Sequence, residues 1–171
     1  CQSNLRQIAM AIQLYTQDYD GTYPLETSVE VQNGLPTQFD WNHALLPYIK
    51  ERHVFECPSH PDRGLGERHY TYNGKRLNTL IPQRPTALRF GNHEASLPST
   101  ATIWSIVDSG SIGADGSLHD LREVSSSCGR AFFGNILHRG GGNYSFLDGH
   151  VKWLTPESAA ETECQSGPPT P

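Results

Sequence analysis

The segment that decides the fold is His138-Arg-Gly-Gly-Gly-Asn-Tyr-Ser-Phe-Leu-Asp148-Gly149-His-Val-Lys-Trp-Leu154. Asp148-Gly149 lies between two alternating apolar runs, which is the pattern of a two-residue type I′ turn whose central residues both need φ > 0. The pattern therefore predicts a β-hairpin in which Phe146 faces Val151. Tyr144 and Trp153 form the next pair on the same aromatic face, and we expect that face to be buried.

Three glycines, Gly140 to Gly142, come just before this hairpin. Because glycine has no side chain, this segment can pass through a narrow space. It follows the apolar run 132–137 and His138. We expect this passage to bring His138 close to the turn that carries Asp148. His138 and Asp148-Gly149 would then form a structural lock that keeps the last two strands in register.

Together with this hairpin, the rest of the chain is predicted to form one α+β domain. Residues 2 to about 19 predict an amphipathic helix, because apolar residues recur there at spacings of three and four. They are Leu5, Ile8, Ile12, Tyr15 and Tyr19. Asp20-Gly21 supplies a left-handed stop. Strands are predicted at 101–107, 132–138, 143–147 and 150–154, and the apolar stripe of the helix should pack against their antiparallel sheet.

Composition excludes several classes of protein. A length of 171 residues fits a single domain, and 16 Gly with 12 Pro indicate a loop-rich fold. A formal net charge of −5 without a run of Lys or Arg argues against a nucleic-acid surface. The sequence also has no His-Glu-x-x-His, phosphate-loop or Gly-x-Ser-x-Gly motif, so no enzyme class is indicated and we expect no enzyme.

The four cysteines occur without a Cys-x-x-Cys pair, which argues against a zinc knuckle or a dithiol redox motif. They are Cys1, Cys57, Cys128 and Cys164. An even count in a loop-rich chain favours disulfides and an oxidising compartment over buried free thiols. Four cysteines permit three pairings, and composition does not choose among them.

Two sets of residues could hold a metal ion. Asp108, His138 and Asp148 each lie at a predicted strand end, where adjacent strands could gather them into a metal site or a hydrogen-bonded structural cluster. We favour the structural cluster. The glycine-rich loop 108–120 carries three aspartates and could offer oxygen ligands to calcium, although a solvated loop explains it better. No cofactor is expected, and calcium is the one candidate ion.

His138, nine intervening residues and Asp148-Gly149 together resemble the C-terminal His-x9-Asp-Gly signature of prepilin-like proteins, relatives of type IV pilins and type II secretion pseudopilins. Residues 1–24 are similar to the segment that follows the membrane helix in those proteins. Residues 45–49 and 54–59 resemble their middle. The three matches occur in the family's order. In the family, a processing site and a long apolar helix would precede Cys1.

The resemblance implies a pilin-like head over residues 1–166, with residues 1–20 as the distal part of the N-terminal helix and 167–171 as a Pro-rich tail. It implies a structural subunit that polymerises with itself and with other pilin-like subunits. Such a subunit is anchored in the inner membrane before assembly and then lies in a periplasmic or extracellular filament. It also favours the pairings Cys1 with Cys57 and Cys128 with Cys164.

Self-assembly in such a protein would use the N-terminal helix. One stripe of this helix should contact the head's own sheet, namely Leu5, Ile8, Ile12 and Tyr15. Part of the opposite face, around Arg6, Met10 and Gln13, should be free to meet a neighbouring subunit. The alternative function is a secreted metal-dependent hydrolase or binding module that uses Asp108, His138 and Asp148.

Overall fold

The structure is a computed structural model, and it describes residues 1–60, 69–73, 93–97, 99–108, 121–129 and 131–166. Its helices are α1 (Gln2–Asp18), α2 (Trp41–Ala44) and α3 (Pro156–Ser166). Its strands are β1 (Thr27–Gln32), β2 (Leu35–Asp40), β3 (Tyr70–Tyr72), β4 (Trp104–Asp108), β5 (Leu121–Ser125), β6 (Ala131–Asn135), β7 (Gly142–Phe146) and β8 (Val151–Leu154). Short 3₁₀ helices occupy Leu46–Tyr48, Arg52–Phe55 and Glu94–Ser96.

The centre of the fold is a four-stranded antiparallel sheet in the order β3-β4-β7-β8. Two further antiparallel pairs, β1-β2 and β5-β6, form separate two-stranded sheets. The strand predicted over 132–138 is thus shorter than expected and pairs with β5. It ends because a turn follows, in which Arg139 and Gly140 both take positive φ. The mixed helix and antiparallel-sheet class agrees with the α+β prediction.

The central sheet is covered on both faces, and the described residues form two hydrophobic cores against it. The first core joins α1 to one face of the sheet through Leu5, Ile8, Ile12, Ile103, Ile106 and Leu147. The second core joins the other face to β6 and α3 through Trp104, Phe132, Tyr144, Phe146, Ala159 and Ala160. β7 is buried at all five positions, because it lies between the two cores.

Helix α1 follows its apolar periodicity closely. Leu5, Ile8 and Ile12 are fully buried, and Tyr15 packs at the edge of the same core. Tyr19 was expected on this stripe, but it lies just past the end of the helix, is 54% exposed and stacks on Tyr15. The left-handed stop is confirmed, because residue 20 has φ 49° and Gly21 has φ 79°.

The connection between β7 and β8 differs from the expected type I′ turn. Ser145 pairs with Val151, and the N–H of Phe146 donates to the carbonyl oxygen of His150 (2.9 Å), so the loop between them contains three residues, 147–149, rather than two. The N–H of Gly149 donates to the carbonyl of Phe146 (2.9 Å), and Gly149 alone in this loop has positive φ. This is the arrangement of a turn closed by a glycine bulge, which inserts one extra residue and shifts the pairing by one.

The shift changes which side chains share a face. Tyr144 and Phe146 are buried in the second core, as predicted. Val151 instead packs at the edge of the first core, on the α1 side of the sheet. Trp153, expected to be buried opposite Tyr144, pairs with Asn143 and is 44% exposed. A one-residue change of register moves a side chain to the opposite face, and this accounts for both corrections.

Two disulfides join distant parts of the chain, Cys1 with Cys57 and Cys128 with Cys164. This is the pairing that the resemblance favoured. The first fastens the start of α1 to the segment after Arg52–Phe55, and the second fastens the β5-β6 connection to α3. Two disulfides indicate an oxidising, extracytoplasmic environment. In the described part of the chain, none of the helices has the length and apolar character needed to cross a membrane.

The hairpin geometry makes Gly149 a stronger folding determinant than Asp148. Gly149→Ala should lower the free energy of unfolding by about 1 to 2 kcal/mol, because alanine is strained at positive φ. Asp148→Ala should cost only about 0.5 to 1 kcal/mol, because its contacts with the backbone N–H and the ring of His150 lie at an exposed site. Urea unfolding of both variants measures the difference. Equal losses of unfolding free energy in the two variants would contradict the glycine bulge and support a two-residue turn, in which residues 148 and 149 both need positive φ.

Candidate functional site

The structure gathers polar side chains around the carboxylate of Asp108, which is fully buried at the end of β4. Its Oδ2 atom accepts hydrogen bonds from the backbone N–H and the side-chain amide of Asn143, both at 2.7 Å. Nε2 of His138 lies 3.2 Å from the same oxygen. Three donors thus converge on one carboxylate oxygen, which is how a buried charge is kept stable in a protein interior.

Local sequence explains how these groups meet. β4 pairs with β7 so that Val107 lies opposite Tyr144, which puts Asp108 beside Asn143 one residue further along. From the end of β6, Asn135 donates its side-chain amide to the carbonyl oxygen of Asp108 (2.6 Å). The Oδ1 atom of Asn135 accepts the N–H of Leu137 (2.7 Å) and so orients the turn that delivers His138.

The glycine run makes this close approach sterically possible. A Cβ atom on Gly141 would lie 2.5 Å from the carbonyl oxygen of Leu154 and 2.5 Å from the ring of Trp153. A Cβ atom on Gly142 would lie 2.8 Å from Cβ of Asn135. The close packing predicted at these glycines is therefore present. It places His138 next to Asp108 and not next to Asp148.

The predicted contact between His138 and Asp148 is absent from the hydrogen bonds of the described residues, and the reason is the length of β7. His138 lies in the turn before this five-residue strand, and Asp148 lies in the loop after it. At about 3.3 Å per residue, the two ends of the strand are roughly 13 Å apart. The His-x9-Asp spacing therefore places the two residues at opposite ends of β7. The predicted lock between His138 and Asp148-Gly149 is wrong, because His138 contacts Asp108 instead of Asp148.

Asp148 has a local partner of its own. Its Oδ1 accepts the N–H of His150 (3.2 Å) and lies 2.5 Å from Nδ1 of the same histidine. The ring of His150 stacks on Phe146, with ring centres 4.2 Å apart. Asp148 and His150 therefore order the hairpin loop, and Asp148 is not a third ligand beside Asp108 and His138.

The same Nε2 atom of His138 also lies near the disulfide between Cys1 and Cys57. Sγ of Cys57 lies 3.7 Å from Nε2 of His138. The two sulfurs of Cys1 and Cys57 and a ring nitrogen of His138 all lie within 4.8 Å of one another. Because the sulfurs are bonded to each other, they are not thiolate ligands for a metal ion in this state. The calcium candidate over 108–120 lies, beyond Asp108, outside the described residues.

Two buried side chains that the sequence did not single out complete the site. His69 is buried, and its Nδ1 accepts the N–H of Cys57 (2.9 Å). Tyr70 donates its hydroxyl to the carbonyl oxygen of Cys1 (3.3 Å). Burial, and after it the negative charge of Asp108, raises the pKa of Tyr70, whereas a hydrogen bond with Asn4 lowers it. Tyr70 is therefore a neutral donor here.

The predicted assembly residues fall on the two faces of α1 as expected, with one exception. Leu5, Ile8 and Ile12 are buried, and Arg6 and Met10 are exposed. The exception is Gln13, whose side-chain amide donates to the carbonyl oxygen of Leu147. Gln13 is thus engaged by the hairpin loop of its own head.

Comparison of the chain with protein-family models, with curated proteins and with solved structures found no match. The geometry described above is therefore the basis for proposing a function.

Double-mutant cycles can separate the two partners considered for His138. His138→Ala and Asp108→Asn should show a coupling free energy of about 1 kcal/mol, because the two side chains share a hydrogen bond in a buried site. The matched control pairs His138→Ala with Asp148→Ala, and those losses should add within about 0.5 kcal/mol. Urea unfolding of each set gives both couplings. Coupling to Asp148 without coupling to Asp108 would contradict the observed pairing.

Proposed function

We propose that this protein is an extracytoplasmic structural subunit of the pilin-like or pseudopilin-like type. In this proposal α1 continues toward the N-terminus into an apolar membrane helix, and copies of the chain assemble through that helix into a filament or a secretion apparatus. The observation that carries the proposal is the division of α1 into a face that the head covers and an exposed face on which two large apolar side chains, Met10 and Leu14, lie among polar ones.

The exposed face has the chemistry of a contact surface. Met10 is 66% exposed and Leu14 is 42% exposed. They are four residues apart and so lie one turn apart on the same side of α1. Large side chains of this kind gain free energy when a partner covers them. Methionine is also suited to such a surface, because its flexible side chain adapts to different neighbours.

The covered face supports the proposal in a second way. Leu5, Ile8 and Ile12 bury completely against the sheet, and the disulfide from Cys1 to Cys57 fastens the start of the helix to the head. Asn4 adds a hydrogen bond from its side-chain amide to the carbonyl oxygen of Glu56 (2.9 Å). A helix held at this point would carry the head rigidly when its preceding part packs in a filament.

Partners and compartment follow from the same proposal. The partners are further copies of this chain and other pilin-like subunits. Before assembly, each subunit would be anchored in the inner membrane. The hydrolase or binding module that would use Asp108, His138 and Asp148 receives no support from the geometry, because Asp148 is turned to His150 at the other end of β7. We therefore advance the structural subunit alone.

Replacing Met10 with Glu tests the proposal. In the full-length precursor expressed in its own host, Met10→Glu should abolish filaments seen by electron microscopy, because a charge would have to be desolvated at the contact. The isolated head should keep its far-ultraviolet circular dichroism and its unfolding midpoint, since residue 10 is exposed.

Val31→Glu is the matched control, because Val31 is an apolar residue, 75% exposed, on β1 rather than on α1. This variant should assemble like the wild type. Filaments of normal length from Met10→Glu would count against the proposal. So would a loss of filaments in both variants, since the effect would then not come from the α1 face.

A further inference from the structure

The disulfide between Cys1 and Cys57 has an asymmetric environment. Cys57 is fully buried, whereas Cys1 is partly exposed. The sulfur of Cys57 lies 3.7 Å from Nε2 of His138, whose side chain is itself largely buried. Cys1 is therefore the half of the bridge that has solvent exposure, while the sulfur of Cys57 faces a ring nitrogen inside the protein.

The hydrogen bonds of Asp108 determine which atom carries the proton. Its Oδ2 already accepts two N–H groups from Asn143, so it is an acceptor for His138 as well. Nε2 of His138 must then be the protonated nitrogen, in the neutral as in the charged ring. The single N–H on this atom lies within reach of both Oδ2 of Asp108 (3.2 Å) and Sγ of Cys57 (3.7 Å), so the carboxylate and the sulfur share one donor.

We propose that the Cys1–Cys57 disulfide is a site of thiol–disulfide exchange, with a small thiol or a protein thiol as the second reactant. The thiolate attacks Sγ of Cys1 and forms a mixed disulfide there. The bond between the two cysteines breaks, and its electron pair stays on Sγ of Cys57. The N–H of His138 donates a hydrogen bond to this leaving sulfur. A leaving thiolate that is stabilised in this way departs faster.

The second disulfide provides a comparison within the same molecule. The polar neighbour of Cys128 is the hydroxyl of Ser126, with 3.2 Å between oxygen and sulfur. Among the described residues, no histidine contact is recorded for Cys128 or Cys164. The Ser126 hydroxyl hydrogen can rotate away from the sulfur, whereas the ring of His138 is held beside Cys57 by its contact with Asp108. The Cys128–Cys164 bond should therefore lack the assistance that His138 gives to Cys57.

Exchange at this site would change how α1 is held. The disulfide is the covalent link between the start of α1 and the segment that ends at Cys57. Opening it would leave the helix attached by its apolar face and by hydrogen bonds such as those from Asn4 and Gln13, while Cys128–Cys164 still fastens α3. This inference does not depend on filament assembly, since it concerns the chemistry of the head alone.

The experiment treats the oxidised full chain with reduced glutathione, quenches with iodoacetamide and maps the labelled peptides by mass spectrometry. In the wild type we expect Cys1–Cys57 to open first, with glutathione on Cys1 and the alkyl group on Cys57. His138→Phe keeps a ring but removes the donor, and it should slow this opening about tenfold. His138→Gln, which retains an N–H, should restore most of the rate. The rate at Cys128–Cys164 should not change.

Glutathione found on Cys57 instead of Cys1 in the wild type would overturn the proposal, and this mapping needs no substitution. An unchanged or faster opening of Cys1–Cys57 in His138→Phe would overturn it as well. Equal rates for His138→Gln and His138→Phe would show that the N–H has no part in the step.

Discussion

The buried carboxylate of Asp108 is the constraint on which the polar interior depends. A charge without solvent contact is tolerated only when hydrogen-bond donors meet it, and the chain supplies them to the Oδ2 atom from β7 and from the turn before it. Asn143 provides two and His138 the third. Asn135 fastens the backbone of the same residue. The ends of β4, β6 and β7 are thereby held at one place.

The two hydrophobic cores depend on this arrangement, because it fixes where β7 enters the sheet. Once Gly142 is placed against Asn135, alternate residues of β7 point to α1 and to α3. Tyr144 and Phe146 then reach the second core. The glycine bulge at Gly149 shifts the pairing of β8 with β7 by one residue from that of a two-residue turn. Trp153 therefore faces outward, and its ring N–H donates to the carbonyl oxygen of His138 (2.8 Å).

The disulfide from Cys1 to Cys57 connects this polar cluster to α1. One of its sulfurs touches His138, and the backbone N–H of Cys57 is held by His69. The helix start, the 3₁₀ segment and the end of β4 therefore meet at a single site. The helix that would carry assembly is thus fastened at the disulfide that would undergo exchange.

The sequence by itself determined the elements whose signals are local. The spacing of Leu5, Ile8 and Ile12 fixed a helix and its buried face, and alternation around Tyr144 and Phe146 fixed a hairpin. Asn143 could have been noticed too, because asparagine is disfavoured in strands and implies a partner there. Only the tertiary structure decided that His138 meets Asp108 and not Asp148. The pairing of β4 with β7 joins residues 30 or more positions apart, and no local pattern reports such a contact.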